Sequence, residues 1–138
     1  MTRFVLDCSM TMAWCFEDEV NRRAELVLDS LVFNEAIVPA IWPLEVANVL
    51  LVGERRKRVN GQKVEAFLAT LRCCPITVDN ETSKNAFGAI LDLARTHGLT
   101  VYDAAYLELA IRSDCPLASL DARLNEVATK LGIVPFEG

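Results

Sequence analysis

Short apolar runs alternate with helix-periodic stretches along the chain, and this alternation restricts the fold more than any other feature. Residues 3–7 contain Phe4-Val5-Leu6 and alternate too little for a half-exposed strand, so they read as a buried parallel one. Ala36-Ile37-Val38 is a second short strand, stopped by Pro39, and Pro75-Ile76-Thr77-Val78 a third. Leu117-Ala118-Ser119 is a fourth, and Ile133-Val134-Pro135-Phe136 fits an edge, where proline is tolerated. Between them the spacing predicts helices over 10–16 (capped by Ser9), 19–33 (Ala24, Val27, Leu28 and Leu31 on one face) and 42–58. Four more are expected over 61–72 (capped by Asn60), 82–97 (closed by Gly98), 100–113 and 122–131. Strands separated by helices imply an α/β fold with a mostly parallel sheet covered on both faces. A chain of 138 residues buries roughly 70% of its unfolded surface as one domain, expected here over 1–138.

Four acids stand where strands end or helices begin. Asp7 follows Phe4-Val5-Leu6, Glu45 opens the helix after Pro43, Asp103 lies in Tyr102-Asp103-Ala104-Ala105-Tyr106, and Asp121 follows Ser119-Leu120. In a parallel α/β sheet those positions face one crevice, where ligands bind. Carboxylates gathered there repel one another unless a cation lies between them. Each acid also has a local explanation. Asp7 suits an Asx turn, Glu45 a helix's first turn, Thr100-x-x-Asp103 a capping box, and Asp121 an N-cap. Taken jointly they point to a divalent-metal site and phosphate chemistry, because hard oxygen ligands suit Mg²⁺ or Mn²⁺.

Other chemistries find little support. A Ser-His-Asp triad would have to use the single histidine, His97, whose place at a helix end beside Gly98 suits the helix dipole better. No phosphate-cradling glycine motif is present. The five cysteines, Cys8, Cys15, Cys73, Cys74 and Cys115, make no C-x-x-C pair and read as reduced thiols. With no membrane-length apolar stretch and no leader-like start, a cytoplasmic protein with no membrane partner is expected. Metal-assisted hydrolysis remains.

The net charge of −5 is unevenly spread. Residues 54–72 hold Arg55, Arg56, Lys57, Arg58, Lys63 and Arg72 against Glu54 and Glu65, a local +4 beside −9 for the remainder. Such a patch on an acidic body suits one grip on a phosphate backbone, while basic residues at a helix C-terminus also answer its dipole. Val46-Ala47-Asn48-Val49-Leu50-Leu51-Val52 is apolar nearly all round, so its outer face is expected to meet another chain.

These motifs together resemble the PIN-domain nucleases, and among them the VapC-type toxin ribonucleases of prokaryotic toxin–antitoxin pairs. The resemblance rests on Leu6-Asp7-Cys8-Ser9, on Leu44-Glu45-Val46-Ala47-Asn48-Val49-Leu50, on Tyr102-Asp103-Ala104-Ala105-Tyr106-Leu107 with Ala110, and on Ser119-Leu120-Asp121-x-x-Leu124. It implies an α/β/α sandwich in which Asp7, Glu45, Asp103 and Asp121 form an acidic site for Mg²⁺ or Mn²⁺, Asp7 and Asp103 holding it chiefly. Ser9 matches the hydroxyl that supports the first acid, and Ser119 stands where the family often has threonine. Asn48, one turn after Glu45, is expected to orient it or to pack. The implied activity is metal-dependent hydrolysis of RNA, with Arg55, Arg56, Lys57 and Arg58 as candidate substrate contacts. A homodimer and a cognate antitoxin docked over the crevice are the implied partners. The alternatives are a Mg²⁺-binding regulatory module that cleaves nothing, for which Asp79 is the only middle-strand acid, and a PIN-type nuclease of RNA maturation.

Overall fold

The computed structural model describes residues 1–16 and 21–138. Four parallel strands form one sheet: β1 (Arg3–Leu6), β2 (Glu35–Val38), β3 (Ile76–Val78) and β4 (Leu117–Ala118). Their order is β3-β2-β1-β4, so the chain builds outward from β1 in one direction and then returns to add β4 on its other side. The β1–β4 boundary is therefore the topological switch point, the place where a parallel sheet opens a crevice at its carboxyl end. β1 carries the deepest core, with Phe4, Val5 and Leu6 all fully buried, as a strand covered on both faces requires.

Seven α-helices surround the sheet among the described residues: α1 (Cys8–Ala13), α2 (Arg22–Ser30), α3 (Trp42–Arg55), α4 (Gly61–Cys73), α5 (Leu91–His97), α6 (Val101–Ser113) and α7 (Ala122–Lys130). Asn60 caps α4 and Gly98 closes α5 in a left-handed conformation (φ 64°), both as expected. α6 lies against β1 and β4 and is buried continuously from Ala104 to Ala110. No helix among the described residues is long and apolar enough to cross a membrane.

Five expectations need correction. The cap of α1 is Asp7 rather than Ser9, because the Asp7 carboxylate itself accepts the Met10 N–H. The second helix begins at Arg22, capped by Asn21; Glu19, its expected start, lies outside the described residues. α3 stops at Arg55, since Lys57 turns to φ 59° and ends the helical path before Arg58. The helix expected over 82–97 is broken into a 3₁₀ turn (Ser83–Asn85), a π-type turn (Ala86–Ile90) and α5, with Gly88 at φ −110°, ψ −106°. Glycine reaches that conformation cheaply, and a helical hydrophobic pattern does not reveal it. Finally, the segment 133–136 makes only a single parallel bridge, Leu117 to Pro135, although Phe136 stacks on Phe4 with ring centroids 4.0 Å apart.

The outer face of α3 is indeed uncovered. Leu44 and Leu51 are exposed, while Trp42, Val46 and Leu50 point inward and line an apolar groove of about 410 Å³ with α4 and β3.

Candidate active site

The register of β1 against β4 places the first acid. Leu6 pairs with Ala118, so Asp7 and Ser119 leave the sheet side by side, and the Asp7 N–H donates to the Ala118 carbonyl at 3.1 Å. Asp7 then turns to φ −91°, ψ 171° and caps α1. Its Oδ1 accepts the Met10 N–H at 2.9 Å and the Ser9 hydroxyl at 2.8 Å, while its Oδ2 accepts the Ser119 hydroxyl. Both hydroxyls are held from behind: Ser9 Oγ accepts the Leu120 N–H and Ser119 Oγ the Asp121 N–H, each at 3.0 Å. Backbone donors of the β4–α7 turn are thus relayed through two serines onto one carboxylate. The Asp7 carbonyl accepts the Thr11 hydroxyl at 2.8 Å, and Thr11 Oγ1 accepts the Trp42 indole N–H at 3.0 Å, tying α3 to α1.

The other three acids arrive on helix first turns. Glu45 lies one turn into α3, where Pro43 is tolerated because its missing N–H has no partner to lose. Glu45 Oε1 accepts the Tyr106 hydroxyl at 2.6 Å. Thr100 caps α6 by accepting the Asp103 N–H at 3.1 Å, and its side chain also acts on the Asp103 carboxylate. Asp121 caps α7 through the Leu124 N–H at 3.1 Å. Local capping therefore accounts for Asp7 and Asp121 and involves Asp103 through Thr100, while Glu45 has no capping task.

Their electrostatics bind the four together. Burial raises Asp7 from 3.8 to about 6 against the hydrogen bonds from Ser119, Met10 and Ser9, and the Asp121 charge adds to the rise. Glu45 is raised by burial, with the Tyr106 bond opposing and the Asp103 charge adding. Asp103 is raised by burial and by Asp121, with Thr100 opposing. Carboxylates from four separate elements thus influence one another, and no basic side chain figures among the causes. Cys8 sits among them half-buried; desolvation, Glu45 and Asp7 push its thiol to about 12, so it is no nucleophile at neutral pH. The donor set suits a hard divalent cation in charge and chemistry. Among the described residues, no three such side chains already close around one point, so the crevice is open rather than a finished cage.

The remaining expected residues divide. Ser9 and Ser119 both touch Asp7. Asn48 is exposed, and among the described residues no hydrogen bond joins it to Glu45. Arg55, Arg56, Lys57 and Arg58 are exposed at the far end of α3, roughly 15 Å along the helix from Glu45. Arg58 also lies over the Phe16 ring at 4.2 Å, a packing contact the sequence did not suggest.

Sequence reasoning missed three features. Tyr106 was visible only as the residue one turn after Asp103, and nothing local shows that its hydroxyl crosses to α3. The Trp42–Thr11 link likewise joins residues far apart in sequence. A second cluster forms around Arg112, whose guanidinium grips Asp79 through two nitrogens (3.1 and 2.7 Å) and Glu108 at 2.7 Å. Thr82 adds a 2.7 Å bond to Asp79 and accepts the Ala40 N–H at 3.0 Å. Asp79 is thereby engaged in a structural ion cluster, which removes the one middle-strand acid a phosphoacceptor would need. The spacing of Glu108 and Arg112, one helical turn apart, was its only legible signal.

Known proteins support the same frame. Residues 4–130 match the family model described as the PIN domain. The chain is 30% identical over 128 residues to the protein named Ribonuclease VapC3 from Pyrobaculum aerophilum, covering 90% of this chain and 93% of that one. In structure it resembles PAE2754 from Pyrobaculum aerophilum (TM-score 0.67, 21% identity, 97% of this chain and 83% of that chain). It also resembles FitAcB from Neisseria gonorrhoeae (TM-score 0.60, 21% identity, 96% of each chain). With a parallel sheet, an acidic crevice at its switch point and a family match spanning nearly the whole chain, this protein belongs to the PIN-domain family.

Proposed function

We propose that this protein is a divalent-metal-dependent endoribonuclease and the toxin of a toxin–antitoxin pair. The observation that carries the reading is the electrostatic linkage of Asp7, Glu45, Asp103 and Asp121 at one sheet end, in which no basic side chain figures among the described residues. The 30% identity to Ribonuclease VapC3 along almost all of both chains supports RNA as the substrate.

Asp7 and Asp103 are the chief candidates to hold Mg²⁺ or Mn²⁺, with Glu45 and Asp121 holding the ion or its waters. When bound, such an ion supplies an activated water and charge stabilisation at the phosphodiester. The chain's own residues prepare the place. Ser9, Ser119 and the Met10 N–H fix both oxygens of Asp7, so this buried carboxylate has one orientation. Thr100 caps α6 through the Asp103 N–H and so fixes the start of the helix that carries Asp103. Hydrolysis leaves a 5′-phosphate and a 3′-hydroxyl. Arg55, Arg56, Lys57 and Arg58, all exposed, are the candidates to meet flanking phosphates. The outer face of α3 suits a protein contact, in a homodimer or with an antitoxin.

The test is single-turnover cleavage of an RNA pool containing transfer and ribosomal species, with and without Mg²⁺ or Mn²⁺, by folded wild type and Asp103→Asn. Metal-dependent cleavage by wild type alone is the expected result. Equal cleavage by both proteins rejects the site assignment.

A further inference from the structure

We infer that Tyr106 is a positioning residue for the metal site, holding the Glu45 carboxylate in place through its hydroxyl. This rests on the nuclease reading above and deepens it. Tyr106 follows Asp103 by three residues on α6, and residues so spaced share a helix face. One face of α6 therefore carries both an acid of the crevice and the phenol that reaches across to α3. The ring is 2% exposed, so core packing fixes its direction. Its hydroxyl lies 2.6 Å from Glu45 Oε1, within the range of a hydroxyl bonded to an ionised carboxylate.

The chemistry of this donor matters. A glutamate has three side-chain torsions and, unlike Asp7, Glu45 accepts no other hydrogen bond among the described residues. A lysine or arginine in place of Tyr106 would also hold the carboxylate, but it would bring a positive charge into the crevice and oppose a cation there. A buried phenol fixes one oxygen and adds no charge. The other oxygen of Glu45 accepts no hydrogen bond among the described residues. Partners of this kind behind a ligand commonly govern metal affinity and activity by about 10–100-fold.

The experiment compares wild type, Tyr106→Phe, Glu45→Gln and the double variant. Mn²⁺ binding to metal-free protein is measured by calorimetry, and RNA cleavage by kcat and KM at several Mn²⁺ concentrations. Tyr106→Phe keeps the packed ring and loses only the hydroxyl. It is expected to bind Mn²⁺ about 10-fold more weakly and to lose kcat at low metal. KM for RNA should be unchanged, with cleavage recovering as Mn²⁺ is raised. Adding Tyr106→Phe to Glu45→Gln should weaken Mn²⁺ binding no further, because the carboxylate it positions is already gone. Wild-type Mn²⁺ affinity in folded Tyr106→Phe, or additive losses in the double variant, overturns the inference while leaving the nuclease reading intact. Failure of that reading shows separately, as wild type that neither binds Mn²⁺ nor cleaves RNA.

Discussion

At one end of α6, Asp103 shares a crevice with Asp7, Glu45 and Asp121; toward the other end, Glu108 and Asp79 clasp Arg112. Both clusters gather carboxylates, and both contain acids that are nearly buried, with Asp7 4%, Glu108 4% and Asp79 8% exposed. They are neutralised differently. Burial alone would raise Asp79, but the Arg112 guanidinium and the Thr82 hydroxyl hold its carboxyl below the ordinary value. Burial raises Asp7, Glu45 and Asp103, and their neighbours among the four raise them further. Arg112 answers one cluster, whereas among the described residues the neutral hydroxyls of Ser9, Ser119 and Tyr106 donate to the other. Charge left uncompensated in a folded domain costs stability and marks a functional site. On the reading proposed above, an external cation would answer this charge.

The largest expected effect breaks the comparison at its functional end. Asp103→Asn removes one of the mutually repelling charges, and Thr100 still caps α6, so the fold should persist with a melting temperature no lower than wild type. Metal-dependent RNA cleavage should fall by orders of magnitude, because activated water and charge stabilisation both depend on the cation. A stable variant that still cleaves at the wild-type rate would leave Asp103 as no more than a helix-start acid.

Charge removal in the other cluster should act on stability instead. Arg112→Met leaves Asp79 and Glu108 buried without their cation, a change that typically costs about 3–5 kcal/mol. Urea unfolding should show that loss, while the folded fraction still cleaves RNA. A loss below about 1 kcal/mol would place the cluster among weak surface pairs.

Acid titration of metal-free protein should separate the two by sign. Asp79 is lowered in the fold, so its contribution is present above the usual carboxylate value and is lost as pH falls. Asp7 is raised from 3.8 to about 6, so its contribution is full below the lower value and is lost as pH rises through the upper one. That loss amounts to about 3 kcal/mol. Between pH 4 and 6, Asp7→Asn should therefore flatten a fall in stability, and Mg²⁺ or Mn²⁺ at pH 7 should restore part of it by linkage. A wild-type profile unchanged by Asp7→Asn would contradict the buried-charge account.

The two clusters also differ in how far the sequence revealed them. Asp7, Glu45, Asp103 and Asp121 each adjoin a strand end or helix start, so local pattern alone nominated them. Parallel-sheet geometry then suggested a common crevice. The Asp79–Arg112 contact joins β3's end to α6, 33 residues apart, and no local pattern encodes that pairing. Tyr106 and Glu45 are 61 residues apart and were hidden for the same reason. The four strands were legible because buried parallel strands are compact apolar runs. The break at Gly88 was not, because a glycine within a helical pattern is compatible with both a continuous helix and a kink. At the start of α1, Asp7 and Ser9 are both good caps, and only the geometry shows that Ser9 serves Asp7's carboxylate instead.

The smallest expected effect concerns how an anionic crevice receives an anionic substrate. If the site end holds no cation of its own, RNA must find some positive contacts elsewhere, and the exposed Arg55, Arg56 and Lys57 lie roughly 15 Å along α3 from Glu45. Replacing Arg56 and Lys57 with Gln should weaken RNA binding and reduce the slope of log affinity against log salt by about one per lost phosphate contact. Arg58 supplies the internal control. Its guanidinium lies over Phe16, a ring 4% exposed, so Arg58→Gln should remove about 0.5–1 kcal/mol of stability through lost cation–π packing. Its salt slope should change less than that of the double variant. The measurement is RNA binding across a salt series with inactive Asp103→Asn as the background, so that cleavage does not distort the affinities. A slope indifferent to Arg56 and Lys57 would return this segment to the role of a solvated helix end, and the phosphate contacts would then have to come from another face of the domain.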